Sequence, residues 1–329
     1  MTQSQTSPVR SATGRREPSR RPRGALRRQE DLQGKLLVAP TVLVVSAAFF
    51  LPLLAVIVFA FTRVRLIDIP RLTFDRLRWT TDNFATMWAS PTFLPALRTT
   101  VVYAVGTTLT SLAIGTAIAL VLRRPFFGRG LVRALVLIPY VLPVVAATTI
   151  WKVMLNPQYG IVNAFGTKVL GWESPLAFLT TTSVSVGGVD VPVALPTVIL
   201  FEAWKTAPLV FLFVTARLQV IPDELEEAAQ IDGAGPVRIL RHIVLPQLTG
   251  VLALLLLLRF IWSFQSFNDV YLLTEGAGGT EVLAVRVYSE LITRANIGTA
   301  SATGLMMTAV LLVFLGAYFL LLRKRGEVG

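Results

Sequence analysis

Hydrophobic positions along this chain come in long, nearly uninterrupted runs, unlike the alternating or striped patterns of soluble strands and helices. Six of these runs approach the roughly 20 residues that cross a bilayer core. They predict membrane spans at about 36–61, 99–122, 131–154, 193–214, 243–264 and 299–322. The pattern therefore predicts an all-α integral membrane protein with six transmembrane helices.

Composition supports this class, since 53% of the 329 residues are hydrophobic and only 15% are charged. The absence of cysteine excludes disulfides, Cys-ligated zinc and iron–sulfur clusters. The single histidine, His242, excludes a multi-His metal site within this chain. The sequence contains no G-x-x-x-x-G-K-[ST], H-E-x-x-H or G-x-S-x-G motif, so we expect no catalytic residues, metal or cofactor here. A membrane-embedded enzyme is a distant alternative.

The formal net charge of +12 is unevenly distributed. Residues 1–34 are rich in Arg, Ser and Pro, and we predict a disordered basic tail that contacts anionic lipid and not nucleic acid. Residues 35–329 then form the transmembrane domain. The loop 123–129 and the end 323–325 are also basic, which places them with the tail on the cytoplasmic side. We therefore predict a multi-pass protein of the plasma or inner membrane with both termini in the cytoplasm.

Small residues recur every four positions in two of the predicted spans, a spacing that lets helices approach closely in lipid. They are Thr107, Ser111 and Gly115 in the second span and Ala300, Gly304 and Thr308 in the sixth.

Charged residues at membrane depth are expensive unless they are paired or face water. Glu202 and Lys205 share one face of the fourth span, and Arg259 lies within the fifth. One interpretation is a solute path formed by polar and aromatic side chains: Glu202, Trp204, Lys205, Arg259, Trp262, Gln265 and Asn268. The other is an ion pair of Glu202 with Lys205 or Arg259 that holds the spans together. The sequence leaves both open.

One polar stretch, 221–246, separates the fourth and fifth spans and falls on the cytoplasmic side of the predicted topology. Pro222 and an acidic run suit a helix start, and Gly233 suits a left-handed helix end. Gly235-Pro236 then begins a second helix. The stretch could be a mere connector, but its small residues would let another protein surface approach.

The motifs of this stretch resemble the E-A-A loop of permease subunits in binding-protein-dependent ABC importers. They are Glu227-Ala228-Ala229, Asp232-Gly233-Ala234 and Ile243-x-Leu245-Pro246. Asn156-Pro157, Gly160 and Val162-Asn163 resemble an outer-loop motif of carbohydrate importers, and the stretch 263–276 resembles the one after their fifth core span. The maltose and glycerol-3-phosphate branch is the most similar.

The resemblance implies a transport subunit that moves a sugar or sugar-like solute into the cytoplasm and is not itself an enzyme. ATP and Mg would be bound by two cytoplasmic ATPase subunits, which would dock on the loop. The residues of the loop that couple it to the ATPase would be Glu227, Ala228, Ala229, Asp232, Gly233, Leu240, Leu245 and Pro246. A second, different permease and an external solute-binding protein would complete the importer. The alternative function is an autonomous secondary transporter or channel for a polar solute.

Overall fold

A computed structural model of the chain describes residues 23–71, 73, 77–186 and 188–324. Residues 23–55 and 56–324 form two compact units. Helix α1 (Arg23–Ala60) contains Pro40 and Pro52. Residues 23–34 therefore differ from the disordered tail that we predicted, because they are helical. Arg, Leu, Gln, Glu and Ala, which make up nine of the twelve residues of this segment, are strong helix formers. The rest of the predicted tail lies outside the described residues.

The other elements follow in chain order. The helices are α2 (Asp82–Ala89), α3 (Phe93–Val121), α4 (Arg129–Val141), α5 (Val144–Met154), α6 (Ile161–Lys168), α7 (Ala194–Leu218), α8 (Glu224–Ile231), α9 (Pro236–Ile239), α10 (Leu245–Phe264), α11 (Asn268–Thr274), α12 (Leu283–Tyr288) and α13 (Ile297–Lys324). A 3₁₀ turn covers Leu66–Arg71, and π-helical turns cover Leu240–Val244 and Ser289–Thr293. Strands β1 (Ser183–Val186) and β2 (Val189–Pro192) form an antiparallel hairpin in which Val184 pairs with Val191.

Within the described residues, five helical segments are long and apolar enough to span a membrane, and the pair α4–α5 would make a sixth. The predicted third span is not one straight helix, because α4 and α5 meet at an angle of 99°. The break falls at Leu142, whose ψ of 135° is extended, immediately before Pro143. Proline lacks an N–H and disfavours helical geometry in the residue before it, which explains the bend.

The core of the larger unit is the packing of α3 along α7, with α10 against α3. A Cβ at Gly115 would lie 2.5 Å from the Ala207 carbonyl oxygen, so only glycine permits this approach of α3 to α7. The small-residue prediction is thus confirmed for the second span. At Gly304 a Cβ would meet nothing within 4 Å, so the small residues of α13 do not mark a close helix contact at that position.

The outer-loop motif 156–163 fixes the connection after α5. The buried side chain of Asn163 donates to the carbonyl oxygens of Leu155, Asn156 and Leu176 at 3.3, 3.2 and 3.0 Å. Its Oδ1 accepts the Leu176 N–H at 2.7 Å. A single amide therefore joins the start of the loop to the segment that precedes the β hairpin.

Candidate functional site

The polar stretch between α7 and α10 forms a helical hairpin made of α8 and α9. Gly233 has φ 77° and its N–H donates to the Gln230 carbonyl at 3.0 Å, while the Ala234 N–H donates to that of Ala229 at 2.9 Å. This pair of bonds is the Schellman motif, which confirms the predicted left-handed end of the first helix. Pro222 lies just before α8 and not in its first turn, because the helix begins at Glu224.

The second half of the hairpin continues into the membrane without interruption. Pro236 is the first residue of α9, as predicted, and residues 236–264 form a helical segment of 29 residues. His242 lies on its π-helical turn, exposed, with Nδ1 3.0 Å from the Arg238 carbonyl oxygen. A movement of the hairpin would therefore be transmitted directly to α10.

The two faces of the hairpin differ in exposure. Glu227, Ala228, Asp232 and Gly233 are exposed. Ala229 is half-buried, however, and packs on the core of its own chain together with two other predicted coupling residues, Leu240 and Leu245. The last of the predicted set, Pro246, is exposed. The loop residues therefore divide between an outward face and an inward anchor.

The outward face includes two apolar side chains that the motif does not contain. Ile231 is 87% exposed and Val237 is 75% exposed. We use "docking face" for the exposed set Glu227, Ala228, Ile231, Asp232, Gly233 and Val237. Exposed apolar side chains beside a carboxylate are typical of a surface that binds another protein. The glycine has no side chain, so it leaves room for the partner to approach.

Arg123, in the short loop between α3 and α4, holds the hairpin against the rest of the chain. Its guanidinium pairs with Glu226 and lies 3.9 Å from Asp223. A groove of about 650 Å³ runs between this loop and the hairpin. In the sequence, Arg123 contributed only to the predicted orientation in the membrane. Nothing in the sequence indicates that Arg123 and Glu226, about 100 residues apart, are in contact.

The charged residues at membrane depth form a buried network. Arg259 Nη2 donates to Glu202 Oε1 at 2.9 Å, and the Ser263 hydroxyl donates to the same oxygen at 2.9 Å. The Tyr103 hydroxyl donates to Glu202 Oε2. Glu202 and Arg259 are each 3% exposed. This geometry supports an ion pair between helices, and the partner of Glu202 is Arg259 and not Lys205.

Lys205 pairs instead with Asp269, which follows the fifth span. Its Nζ also lies 5.8 Å from the centre of the Phe201 ring. Trp204 is half-buried and packs against Phe201 and Trp151, with ring centres 6.2 and 5.7 Å apart. Asp269 and Tyr103 were not among the predicted site residues, although Asp269 lies beside Asn268 in the sequence.

The remaining predicted path residues, Trp262, Gln265 and Asn268, are exposed near the end of α10. An aromatic cluster lies beside them. Phe267 stacks on Tyr271 with ring centres 4.9 Å apart, and Tyr271 lies 4.8 Å from Tyr288. Polar groups and aromatic faces are thus brought to one region. In the part of the chain that the structure describes, no group of three or more His, Asp or Glu side chains could hold a metal ion.

Comparison with known proteins decides the family. Residues 110–326 match the family described as the inner membrane component of binding-protein-dependent transport systems. The chain belongs to this family. It is a membrane-spanning permease subunit of an ATP-driven importer and not an enzyme, since ATP hydrolysis belongs to a separate ATPase. The alternative of an autonomous secondary transporter or channel is overturned.

Relatives cover most of the chain. The inner membrane ABC transporter permease protein YcjO of Escherichia coli K12 is 33% identical over 88% of this chain and 92% of its own. The trehalose/maltose transport system permease protein MalF of Thermococcus litoralis is 30% identical over 92% and 97%. The trehalose transport system permease protein SugA of Mycobacterium tuberculosis is 31% identical over 68% of each chain.

Solved structures show the same fold. A chain from a bacterial ABC transporter involved in the import of alginate, an acidic polysaccharide, aligns with a TM-score of 0.76 at 21% identity. The alignment covers 91% of this permease and 99% of that chain. The prediction of an all-α ABC importer permease is confirmed.

Proposed function

We propose that this permease imports a sugar or a sugar-like solute, which enters through a path at the outer end of α10. The names of the relatives, which include permeases for trehalose and maltose, support this solute class. The exposed amides of Gln265 and Asn268 can bond hydroxyl groups, and the rings of Tyr271 and Phe267 offer flat apolar faces beside them.

Not every predicted path residue fits this role equally. Glu202 and Arg259 are buried and satisfy each other, so in this proposal they hold α7 to α10 beside the path. Lys205, Trp204 and Trp262 remain in the path with Gln265 and Asn268. The salt bridge of Lys205 with Asp269 would set the orientation of α11, which carries Asn268.

The docking face is proposed to bind one of two cytoplasmic ATPase subunits, which carry the ATP and Mg. The observation that carries this assignment is the hairpin itself, with an exposed carboxylate, exposed apolar residues and a glycine cap, joined without a break to α10. Glu227 could accept charge-assisted hydrogen bonds from the ATPase. Nucleotide and solute would then favour different states of the same permease.

The proposed importer also contains a second, different permease and an external solute-binding protein. In this arrangement the hairpin, the basic loop at Arg123 and both chain termini face the cytoplasm, as the distribution of arginine and lysine indicates.

The coupling role is tested with Gly233→Asp in the reconstituted importer, measuring solute uptake and solute-stimulated ATP hydrolysis. We expect uptake to be lost, because a charge is introduced on the docking face, while membrane insertion is retained. Gly233→Asn is the matched control, since asparagine also tolerates the left-handed conformation but carries no charge. Normal uptake by Gly233→Asp would refute the role of the docking face.

The solute path is tested with Asn268→Ala and a panel of sugars, polyols and sugar phosphates. We expect a raised half-saturation concentration for the transported solute and unchanged assembly with the ATPase. Gln247→Ala changes an amide at the opposite end of α10 and is the control. An equal effect of both substitutions would place solute recognition elsewhere.

A further inference from the structure

A small pocket of about 210 Å³ lies where α3 and α7 end and α4 begins. Arg123, Arg129 and Arg133 line it together with Thr215, and Asp223 is the only carboxylate among the described lining residues. Asp223 and Arg123 also line the groove beside the hairpin. The pocket is therefore on the hairpin side of the permease and carries an excess of positive charge.

Three buried polar atoms of this pocket lack partners among the described residues. Arg129 Nε, Arg133 Nε and Thr215 Oγ1 are buried, and none has a hydrogen-bond partner among the residues that the structure describes. Arg133 makes one bond, from Nη2 to the Leu122 carbonyl at 3.3 Å, and Arg123 is occupied by Glu226. Buried donors are nearly always satisfied in native proteins, so this arrangement calls for an acceptor.

The missing acceptor should be an anion with several oxygens. Guanidinium groups can only donate, and their planar fork matches phosphate oxygens. Helix α4 begins at Arg129 after Gly128, which has no side chain to cap it, so the positive end of the helix dipole also adjoins the pocket. We propose that the pocket binds the phosphate of an anionic phospholipid headgroup.

The position of the pocket favours lipid over free phosphate as the source. Three apolar helices end or begin here, which is where headgroups lie in a bilayer. The adjoining basic loop exposes Phe126 and Phe127, the latter completely, and exposed Phe beside arginine is typical of segments that lie in the membrane interface. A headgroup in this pocket would contact the same loop that Arg123 joins to the coupling hairpin.

The proposal is tested with the full-length chain purified in detergent, by its thermal stability during titration with phosphatidylglycerol, phosphatidylcholine or inorganic phosphate. Phosphatidylglycerol should stabilise the wild type most. The double variant Arg129→Gln/Arg133→Gln should lower its apparent affinity about tenfold or more, since each basic residue contributes to headgroup binding. Arg124→Gln, an exposed arginine of the same loop outside the pocket, should change that affinity less than about twofold.

Two outcomes would overturn the proposal: a double variant that binds phosphatidylglycerol as the wild type does, or a control variant that loses as much affinity. Stabilisation by inorganic phosphate equal to that by phosphatidylglycerol would overturn the lipid source. If circular dichroism shows that the double variant has lost helix, Arg129→Gln alone replaces it, because that side chain has no described partner to lose. The measurement does not require transport, so its result is independent of the proposed sugar import.

Discussion

The buried pair Glu202–Arg259 permits a quantitative test of whether charge at membrane depth serves structure or solute. Substituting Glu202 by Ala leaves a guanidinium that is 3% exposed without its partner. Breaking a buried pair in this way costs about 3–5 kcal/mol. The cost of inserting an arginine at the centre of a membrane helix, about 2.5–3.5 kcal/mol on insertion scales, is of the same magnitude. We therefore expect a loss of about 3–5 kcal/mol in the free energy of unfolding.

The double variant Glu202→Leu/Arg259→Met should recover much of that loss. Both charges are then removed, and apolar side chains of similar volume often replace a buried pair without penalty. A residual cost of about 1–3 kcal/mol is expected because the Tyr103 and Ser263 hydroxyls lose their acceptor. The free energy of unfolding is measured for Glu202→Leu, Arg259→Met and the double variant by SDS titration in mixed micelles.

The exposed pair Arg63–Asp82 is the control. Breaking it with Arg63→Gln should leave stability unchanged within error, because exposed pairs contribute little. If the double variant at Glu202 and Arg259 loses as much stability as the two single variants together, the residues do not stabilise each other. A Glu202→Gln variant with wild-type stability and altered solute affinity would assign the pair to the solute path.

Three further predictions concern packing and the outer region. Gly115→Leu should prevent stable packing of α3 on α7, because the new Cβ would lie 2.5 Å from a backbone oxygen of α7. Gly304→Leu is the control and should be tolerated, because a Cβ there meets nothing within 4 Å. Expression level and melting temperature of the two variants measure the difference. Asn163→Ala should lower the free energy of unfolding by about 2–4 kcal/mol through lost hydrogen bonds, and a wild-type melting temperature would contradict this. Arg286→Met should cost about 3 kcal/mol by leaving the buried Glu290 with fewer partners, measured by denaturation, and Arg286→Lys should not restore it fully.

The spans and the hairpin could be predicted from the sequence because their signals are local. Long apolar runs, a Gly at a helix end and Pro236 at a helix start each act through neighbouring residues. The bend before Pro143 could not be predicted from such a local signal, because Pro139 and Pro208 lie inside helices that are not broken there. Whether a proline breaks a span depends on what packs around it, which the sequence does not show.

The site was predictable in its residue types but not in its pairings. The sequence offered either Lys205 or Arg259 as the partner of Glu202, and the packing of α7 against α10 decides it. Arg259 pairs with Glu202, and Lys205 pairs with Asp269. The exposure of Ile231 likewise depends on which face of α8 packs against the core of the permease. These contacts arise from tertiary packing between residues distant in the chain.

The continuous helix from residue 236 to 264 has a mechanical consequence. Its 29 residues give a rod about 43 Å long at the usual rise per residue. If the rod pivoted at the hairpin, a tilt of about 10° would displace the far end, next to Gln265, by about 7.5 Å. Arg259 lies within this rod and is anchored to α7 through Glu202. With that anchor as the fulcrum, the arm on the hairpin side is about 34 Å long and the arm on the far side only about 8 Å. The same tilt then moves the hairpin by about 6 Å and the end beside Gln265 by about 1.5 Å. The anchor would therefore convert a large movement of the hairpin into a small adjustment at the other end of α10.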